Sequence, residues 1–154
     1  MYILLAVGIV VVDQCTKLWV MSSLPLHVPQ AFIPRLLRLT YTHNRGAAFG
    51  ILQNKRPLFI VIAAVVVGLL IYYREEITQG RTILKLALSL VAAGALGNLI
   101  DRALRGYVVD FLEFAFVSFP VFNVADMAIV TGVSLFVLDL IWDWFLSSAK
   151  AGKR

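Results

Sequence analysis

The chain has 154 residues, 60% of them hydrophobic and only 15% charged, with a formal net charge of +5. Ordinary soluble domains carry roughly 45–50% apolar and about 25% charged residues, so this composition excludes a water-soluble globule and indicates one domain within a membrane. A single cysteine, Cys15, excludes an intramolecular disulfide and a thiolate metal site. The positive charge is spread through loops and tail, which suits anionic lipid headgroups and offers no basic run for nucleic acid.

A membrane-spanning helix needs about 20 mostly apolar residues. The first candidate covers about residues 3–21, interrupted by Asp13 and Lys17. Its leading run, Ile3 to Val12, is as short as a signal peptide's. However, no basic segment precedes it, and Asp13-Gln14 stands where small residues would prepare cleavage. It reads as a retained helix, with Asp13 and Lys17 four apart on one face in salt-bridge order.

Residues 22–56 differ. Pro25, Pro29 and Pro34 break the segment, and from Leu37 to His43 apolar and polar residues alternate, as in a strand. Asn44-Arg45-Gly46 then gives a turn, followed by small residues (Ala47, Ala48, Gly50) that permit close backbone approach. A small sheet at the membrane surface is expected here. The second span, about 57–73, ends in Tyr72, Tyr73 and Arg74, an interfacial anchor. Residues 74–81 read as a short solvent loop. The third span, about 82–101, holds the small-residue stretch Ala92 to Gly97, which lets helices approach closely in lipid. The fourth, about 122–146, ends with Trp142, Trp144 and a basic tail. Lys and Arg divide almost evenly between the two sides, so the positive-inside rule leaves orientation open.

The aspartates carry the chemical information, because an ionisable residue inside a span costs roughly 2.5–3.5 kcal/mol and tends to mark function. Asp139 and Asp143, beside the tryptophans, read as solvated at the interface. Asn98 and Asp101 close the third span, and Asn123 and Asp126 open the fourth, so both pairs fall at one membrane interface. Asp101 reads as an ion pair with neighbouring Arg102 or as a helix-end acceptor. Asp126 suits either a helix N-terminus or catalysis. Asp110, embedded in Val108-Val109-Asp110-Phe111-Leu112, lacks a local partner, and apolar surroundings raise a carboxyl's pKa. Two carboxylates brought together share a proton, giving one base and one acid. That equips a site to hydrolyse a peptide with water alone.

Five blocks in order resemble the lipoprotein signal peptidase (signal peptidase II) family: Asp13-Gln14-Cys15-Thr16-Lys17, Asn44 to Phe49, Gly94 to Arg102, Val108 to Phe111, and Phe122 to Asp126. The resemblance implies an intramembrane aspartyl endopeptidase that removes the signal peptide from prolipoproteins, cutting just before a diacylglyceryl-modified cysteine. The implied fold is a membrane all-α, four-transmembrane-helix bundle with a small extracytoplasmic β-sheet, or cradle, between helices 1 and 2. By the same resemblance Asp110 and Asp126 form the catalytic dyad. Asn98, Asp101, Arg102 and Asn123 support it, and Asn44, Gly46 and Asp13 occupy further motif positions. Neither metal nor other cofactor is implied. The expected partners are the prolipoprotein substrates and membrane lipid, and the chain is expected to act as a monomer. The expected location is the bacterial cytoplasmic membrane, with both termini cytoplasmic and the site near the outer face.

Met127 stands where a serine is common in that family. Val12-Asp13-Gln14 before Cys15 lacks the small residues of a cleavage box, so the chain is not expected to process itself. Two rivals make different use of the same residues. A small proton- or ion-coupled transporter would space its carboxylates across the bilayer, whereas these cluster at one interface. A lipid phosphotransferase would use aspartates to hold a divalent metal.

Overall fold

In the computed structural model, which describes residues 2–46, 56–72 and 79–151, many large apolar side chains face outward while several charged ones, Asp13, Lys17, Asp101, Asp110 and Asp139, are buried. On the first helix, α1 (Tyr2–Ser23), Ile3 and Leu4 are about three-quarters exposed, while Asp13 and Lys17 are fully buried. A helix apolar around most of its circumference whose buried residues are its two charges and Val20 is built for lipid. Among the described residues three helices are long and apolar enough to cross a membrane: α1, α3 (Thr82–Leu104) and α4 (Val124–Ala151, over Val124–Phe145). Helix α2 (Arg56–Tyr72) has 17 residues and a shorter apolar stretch, Ile60–Leu69. Its length falls at the lower limit for a span, roughly 17–25 residues. The solvent loop expected at 74–81 and the small residues 47–50 lie largely outside the described residues.

Three strands, β1 (Gln30–Ile33), β2 (Leu37–Asn44) and β3 (Val108–Phe114), form an antiparallel sheet in the order β1-β2-β3. The expected strand from Leu37 is present. The expectation that residues 22–56 alone build the sheet is corrected, because β3 comes from the connection between α3 and α4. Val108 to Leu112 is a short apolar run bearing one charge, and such a run gives no periodicity by which to recognise a strand. The alternation in β2 also breaks: Leu39, Thr40 and Tyr41 are all buried, where the register with β3 shifts between Leu39 and Thr42. Beyond that bulge Thr42 pairs with Asp110 and Asn44 with Val108.

The β1–β2 turn uses Pro34 and then Arg35, whose φ of 64° is left-handed, with the Leu36 N–H donating to the Ile33 carbonyl at 3.0 Å. At the end of α3, Gly106 takes a φ of 84° and closes the helix. Thus α3 extends three residues beyond the expected boundary at 101 and carries Arg102 on its last turn. After β3 the chain returns so that Phe122 exchanges backbone hydrogen bonds with Leu112, at 2.8 and 2.9 Å. This bridge delivers Asn123 beside β3 just before α4 begins.

Small residues bring α3 and α4 together, as the sequence suggested. A Cβ on Gly94 would stand 2.3 Å from the Ala125 carbonyl oxygen, and one on Gly132 would stand 2.6 Å from that of Ala87. A separate apolar cluster of Val20, Leu39, Tyr41, Val109 and Phe111 seats the sheet on α1. At the far end of the bundle Asp139 is only 4% exposed and pairs with Arg81 at 2.9 Å. The expectation of a solvated Asp139 is therefore corrected, for Arg81 lies 58 positions away and no local pattern joins them. Asp143 is exposed and pairs with the same guanidinium at 2.6 Å. Trp142 and Trp144 are exposed, as an interfacial belt would be.

Adding one methyl at Gly132 meets backbone that cannot yield, so Gly132→Ala should cost about 1–3 kcal/mol, the scale of overpacking. Gly8, whose Cβ would meet nothing within 4 Å, serves as control, and Gly8→Ala should be neutral or mildly stabilising. Thermal unfolding of both variants in detergent tests this, and equal melting temperatures would contradict the close approach.

Candidate active site

Asp110 and Asp126 line one cavity of about 1020 Å³, together with His43, Asn44, Asn98 and Arg102 on its polar side and Phe114, Phe119 and Phe122 among its apolar walls. Asp110 projects from β3 and is 2% exposed; Asp126 lies in the first turn of α4. Sequence positions 44, 98, 110, 123 and 126 thus meet through a sheet register and two helix ends.

Asn123 joins the two carboxylates. Its Nδ2 donates to Asp110 Oδ1 at 2.6 Å, and its Oδ1 accepts the Asp126 N–H at 2.9 Å. In return the Asn123 N–H donates to Asp126 Oδ2 at 3.2 Å. This reciprocal arrangement is a capping box, satisfying donors that a helix start leaves unpaired. Asp126 therefore serves the helix N-terminus, one of the two readings left open by the sequence, and faces the cavity at once. Its Oδ1 accepts from Asn98 Nδ2 at 2.8 Å. Asp110 Oδ2 accepts from Asn44 Nδ2 at 2.9 Å.

Each of the three carboxamides is turned by a partner that can only donate. Asn44 Oδ1 accepts the Gly46 N–H at 2.9 Å, Asn123 Oδ1 accepts the Asp126 N–H, and Asn98 Oδ1 accepts the Lys17 ammonium at 3.0 Å. With the oxygens so fixed, the NH₂ groups must point at the carboxylates. Arg102 Nη2 donates to the Gly46 carbonyl at 3.2 Å, holding the turn after β2 against α3.

Behind this layer lies a buried ionic cluster. Lys17 pairs with Asp13 at 2.9 Å and Asp101 at 3.0 Å, all three side chains being fully buried. Asp13 Oδ1 also accepts the Ala125 N–H at 2.9 Å, so α1 caps α4. Gly97 makes room for it, since a Cβ there would stand 2.7 Å from Asp13 Oδ2. Asp101 accepts the Val109 N–H at 3.0 Å and pairs with Arg105. The expected structural role of Asp101 is present, with Lys17 and Arg105 as its charged partners. The i,i+4 pairing of Asp13 with Lys17 was legible in the sequence. The third contact of Lys17, to Asn98, was not, nor was Gln14, whose Nε2 reaches Asp13 at 3.1 Å and Asp101 at 3.2 Å.

Burial pushes the Asp110 carboxyl up from its ordinary 3.8 to about 7, and the nearby Asp126 charge adds to this. Beside the cavity His43 stacks on Tyr107, ring centres 3.8 Å apart, and meets the Tyr41 hydroxyl at 2.8 Å. Burial lowers the His43 pKa and raises that of Tyr41 to about 12, keeping both neutral near pH 7. Among the described residues no group of three or more His, Cys, Asp or Glu is placed to hold a metal ion.

Outward apolar helices around a cavity with two carboxylates define a helical membrane enzyme, and a solved structure described as a bacterial membrane enzyme matches with a TM-score of 0.88. That match is 38% identical and covers 92% of this chain and 88% of the other. Residues 5–142 match the family described as signal peptidase (SPase) II, and the chain belongs to that family of aspartic-type proteases. The lipoprotein signal peptidase of Brevibacillus brevis is 46% identical over 142 residues, covering 92% of this chain and 95% of that protein. That of Halothermothrix orenii is 47% identical over 133 residues, covering 86% and 89%. Family and apolar helices together make this a multi-pass bacterial membrane protein.

A carboxyl raised by folding binds its proton more tightly in the folded state, so its contribution to stability is complete below the unfolded value and lost as pH rises. For Asp110 the window runs from 3.8 to about 7. Thermal unfolding across that range should show stability falling with pH more steeply in wild type than in Asp110→Asn. Parallel curves would mean that Asp110 titrates normally.

Proposed function

We propose that this protein is an intramembrane aspartyl endopeptidase that removes the signal peptide from diacylglyceryl-modified prolipoproteins, with Asp110 and Asp126 as its dyad. The observation that carries this is Asn123, whose side chain donates to the Asp110 carboxylate and receives the Asp126 N–H while its own backbone N–H donates to the Asp126 carboxylate, tying both carboxylates to one buried residue. The two relatives compared above are named lipoprotein signal peptidases, which supports the substrate class.

In the proposed reaction Asp126 takes a proton from water as its oxygen attacks the scissile carbonyl carbon. Asp110, raised to about 7 and so holding its proton near neutral pH, hydrogen-bonds the carbonyl oxygen. A proton then passes to the leaving amine as the C–N bond breaks. Asn44, Asn98 and Asn123 stabilise the carboxylates, Arg102 and Gly46 shape the turn beside them, and Asp13 and Asp101 hold the helices behind them. The apolar walls of the cavity, including Phe114, Phe119 and Phe122, suit acyl chains of the lipidated cysteine. We take α2 as a fourth span, its 17 residues reaching the lower limit for crossing. The termini would then share the cytoplasmic side, with the dyad near the outer face and the chain working as a monomer among lipid.

Cleavage of a diacylglyceryl-modified prolipoprotein in detergent containing EDTA is the direct test. Wild type should cut, and folded Asp110→Asn and Asp126→Asn should each lose on the order of 10³-fold in rate. Undiminished cleavage by either variant would remove that residue from the mechanism, and loss of wild-type cleavage on chelation would favour metal-dependent chemistry instead.

The alkaline limb of the wild-type rate should follow loss of the Asp110 proton, near its value of about 7. A pH–rate profile measures this, and a rate still climbing well above neutral pH would reverse the assignment of acid and base.

A further inference from the structure

Lys17 is fully buried, and its ammonium has three partners, one for each hydrogen: Asp13 Oδ2 at 2.9 Å, Asp101 Oδ2 at 3.0 Å and Asn98 Oδ1 at 3.0 Å. Two of these are the carboxylates expected around a buried cation. The third is a neutral carboxamide whose other end, Nδ2, donates to Asp126 Oδ1 at 2.8 Å. An ammonium has no acceptor capacity, so whichever Asn98 atom faces Lys17 must be the oxygen. Rotating the amide would set NH₂ against NH₃⁺ and oxygen against carboxylate, two repulsive contacts replacing two attractive ones. The other donor to Asn98 Oδ1, Asn123 Nδ2, is farther, at 3.3 Å, and is shared with Asp110 and the Val109 carbonyl. Of the three carboxamides beside the dyad, Asn44 and Asn123 are oriented by backbone N–H groups, and Asn98 is oriented by a side chain.

We infer that Lys17 is a positioning residue for catalysis, acting through Asn98: its third hydrogen fixes the amide in the orientation that gives Asp126 a donor and keeps that carboxylate ready to accept a proton from water. This rests on the dyad reading above. The charged groups that act on Lys17 are Asp13 on its own helix, Asp101 on α3, Asp110 on β3 and Asp126 on α4, while Arg105 pairs with the same Asp101. Its charge also favours the ionised form of Asp110.

Lys17→Met alone strands two buried carboxylates, so the informative variant is Lys17→Met with Asp13→Asn, which removes one charge of each sign. Asn at 13 retains an oxygen for the Ala125 N–H. In the prolipoprotein assay the folded double variant should lose about tenfold or more in kcat, the scale of one charge-assisted hydrogen bond, with KM nearly unchanged. The acidic limb of its pH–rate profile should move upward by about one unit. In an Asn98→Ala background the same double change should have little further effect on kcat, since the route through the amide is already gone. A folded double variant with wild-type kcat and an unmoved limb would overturn the proposal. So would a rate loss that simply adds to that of Asn98→Ala, or a double variant that cannot fold, because each assigns Lys17 to the scaffold alone. Asp110→Asn, assayed in parallel, separates the two readings. If it is inactive while the Lys17 variant is normal, only the positioning role fails; if it cleaves normally, the dyad reading fails and the role of Lys17 falls with it.

Discussion

Everything in the bundle depends on one ammonium ion held inside it. A lysine at membrane depth must be paired, because removing one partner from a buried ion pair costs roughly 3–5 kcal/mol. Lys17 is paired by Asp13 from its own helix and Asp101 from α3. Asp13 reaches on to the Ala125 N–H at the start of α4, while Asp101 reaches the Val109 N–H at the start of β3. One charge cluster therefore fixes four elements relative to one another, and two of them carry Asp110 and Asp126. In a soluble protein a hydrophobic core would do this. Between helices surrounded by lipid the hydrophobic effect gives no such preference, and small-residue contacts and polar bonds take over. Gly94 and Gly97 supply the former on the same face of α3.

Local backbone needs and site chemistry are met by the same atoms. The unpaired N–H groups at the start of α4 require oxygen partners, and Asn123, Asp126 and Asp13 provide them. Those side chains are thereby fixed in direction before any substrate arrives. The helix N-terminus also favours negative charge in its first turn, which suits the base role proposed for Asp126. On the other side, the β-bulge between Leu39 and Thr42 sets the pairing of Thr42 with Asp110 and carries Asn44 to its carboxylate.

What the sequence made legible followed from local rules. Asp13 and Lys17 are one helical turn apart, so their pairing could be read directly; so could the small-residue face of α3 and the strand from Leu37. The family resemblance supplied the grouping of Asp110 with Asp126. What stayed hidden was long-range. Asn44 meets Asp110 across 66 positions and Arg81 meets Asp139 across 58, and no periodicity encodes either. β3 was invisible because Val108 to Leu112 is too short and too uniformly apolar to reveal a period. Asp139 was misread because it is interfacial by position and is covered through its pairing with Arg81, which no local pattern announces.

The choice of neutral carboxamides next to the two carboxylates has a chemical logic. A cation in direct contact with each would hold both as anions, and a dyad without a shared proton has no acid to offer the carbonyl. Amide N–H groups solvate an anion and still tolerate its protonation, so Asn44, Asn98 and Asn123 leave the proton free to move. Lys17 stands one residue further back, where its charge reaches the dyad through Asn98. Burial lifts Asp110 to about 7, and Asp126 has donors at its own helix end and on α3. In the proposed mechanism two identical side chains take different roles from their surroundings, and those surroundings are the same hydrogen bonds that hold the bundle together.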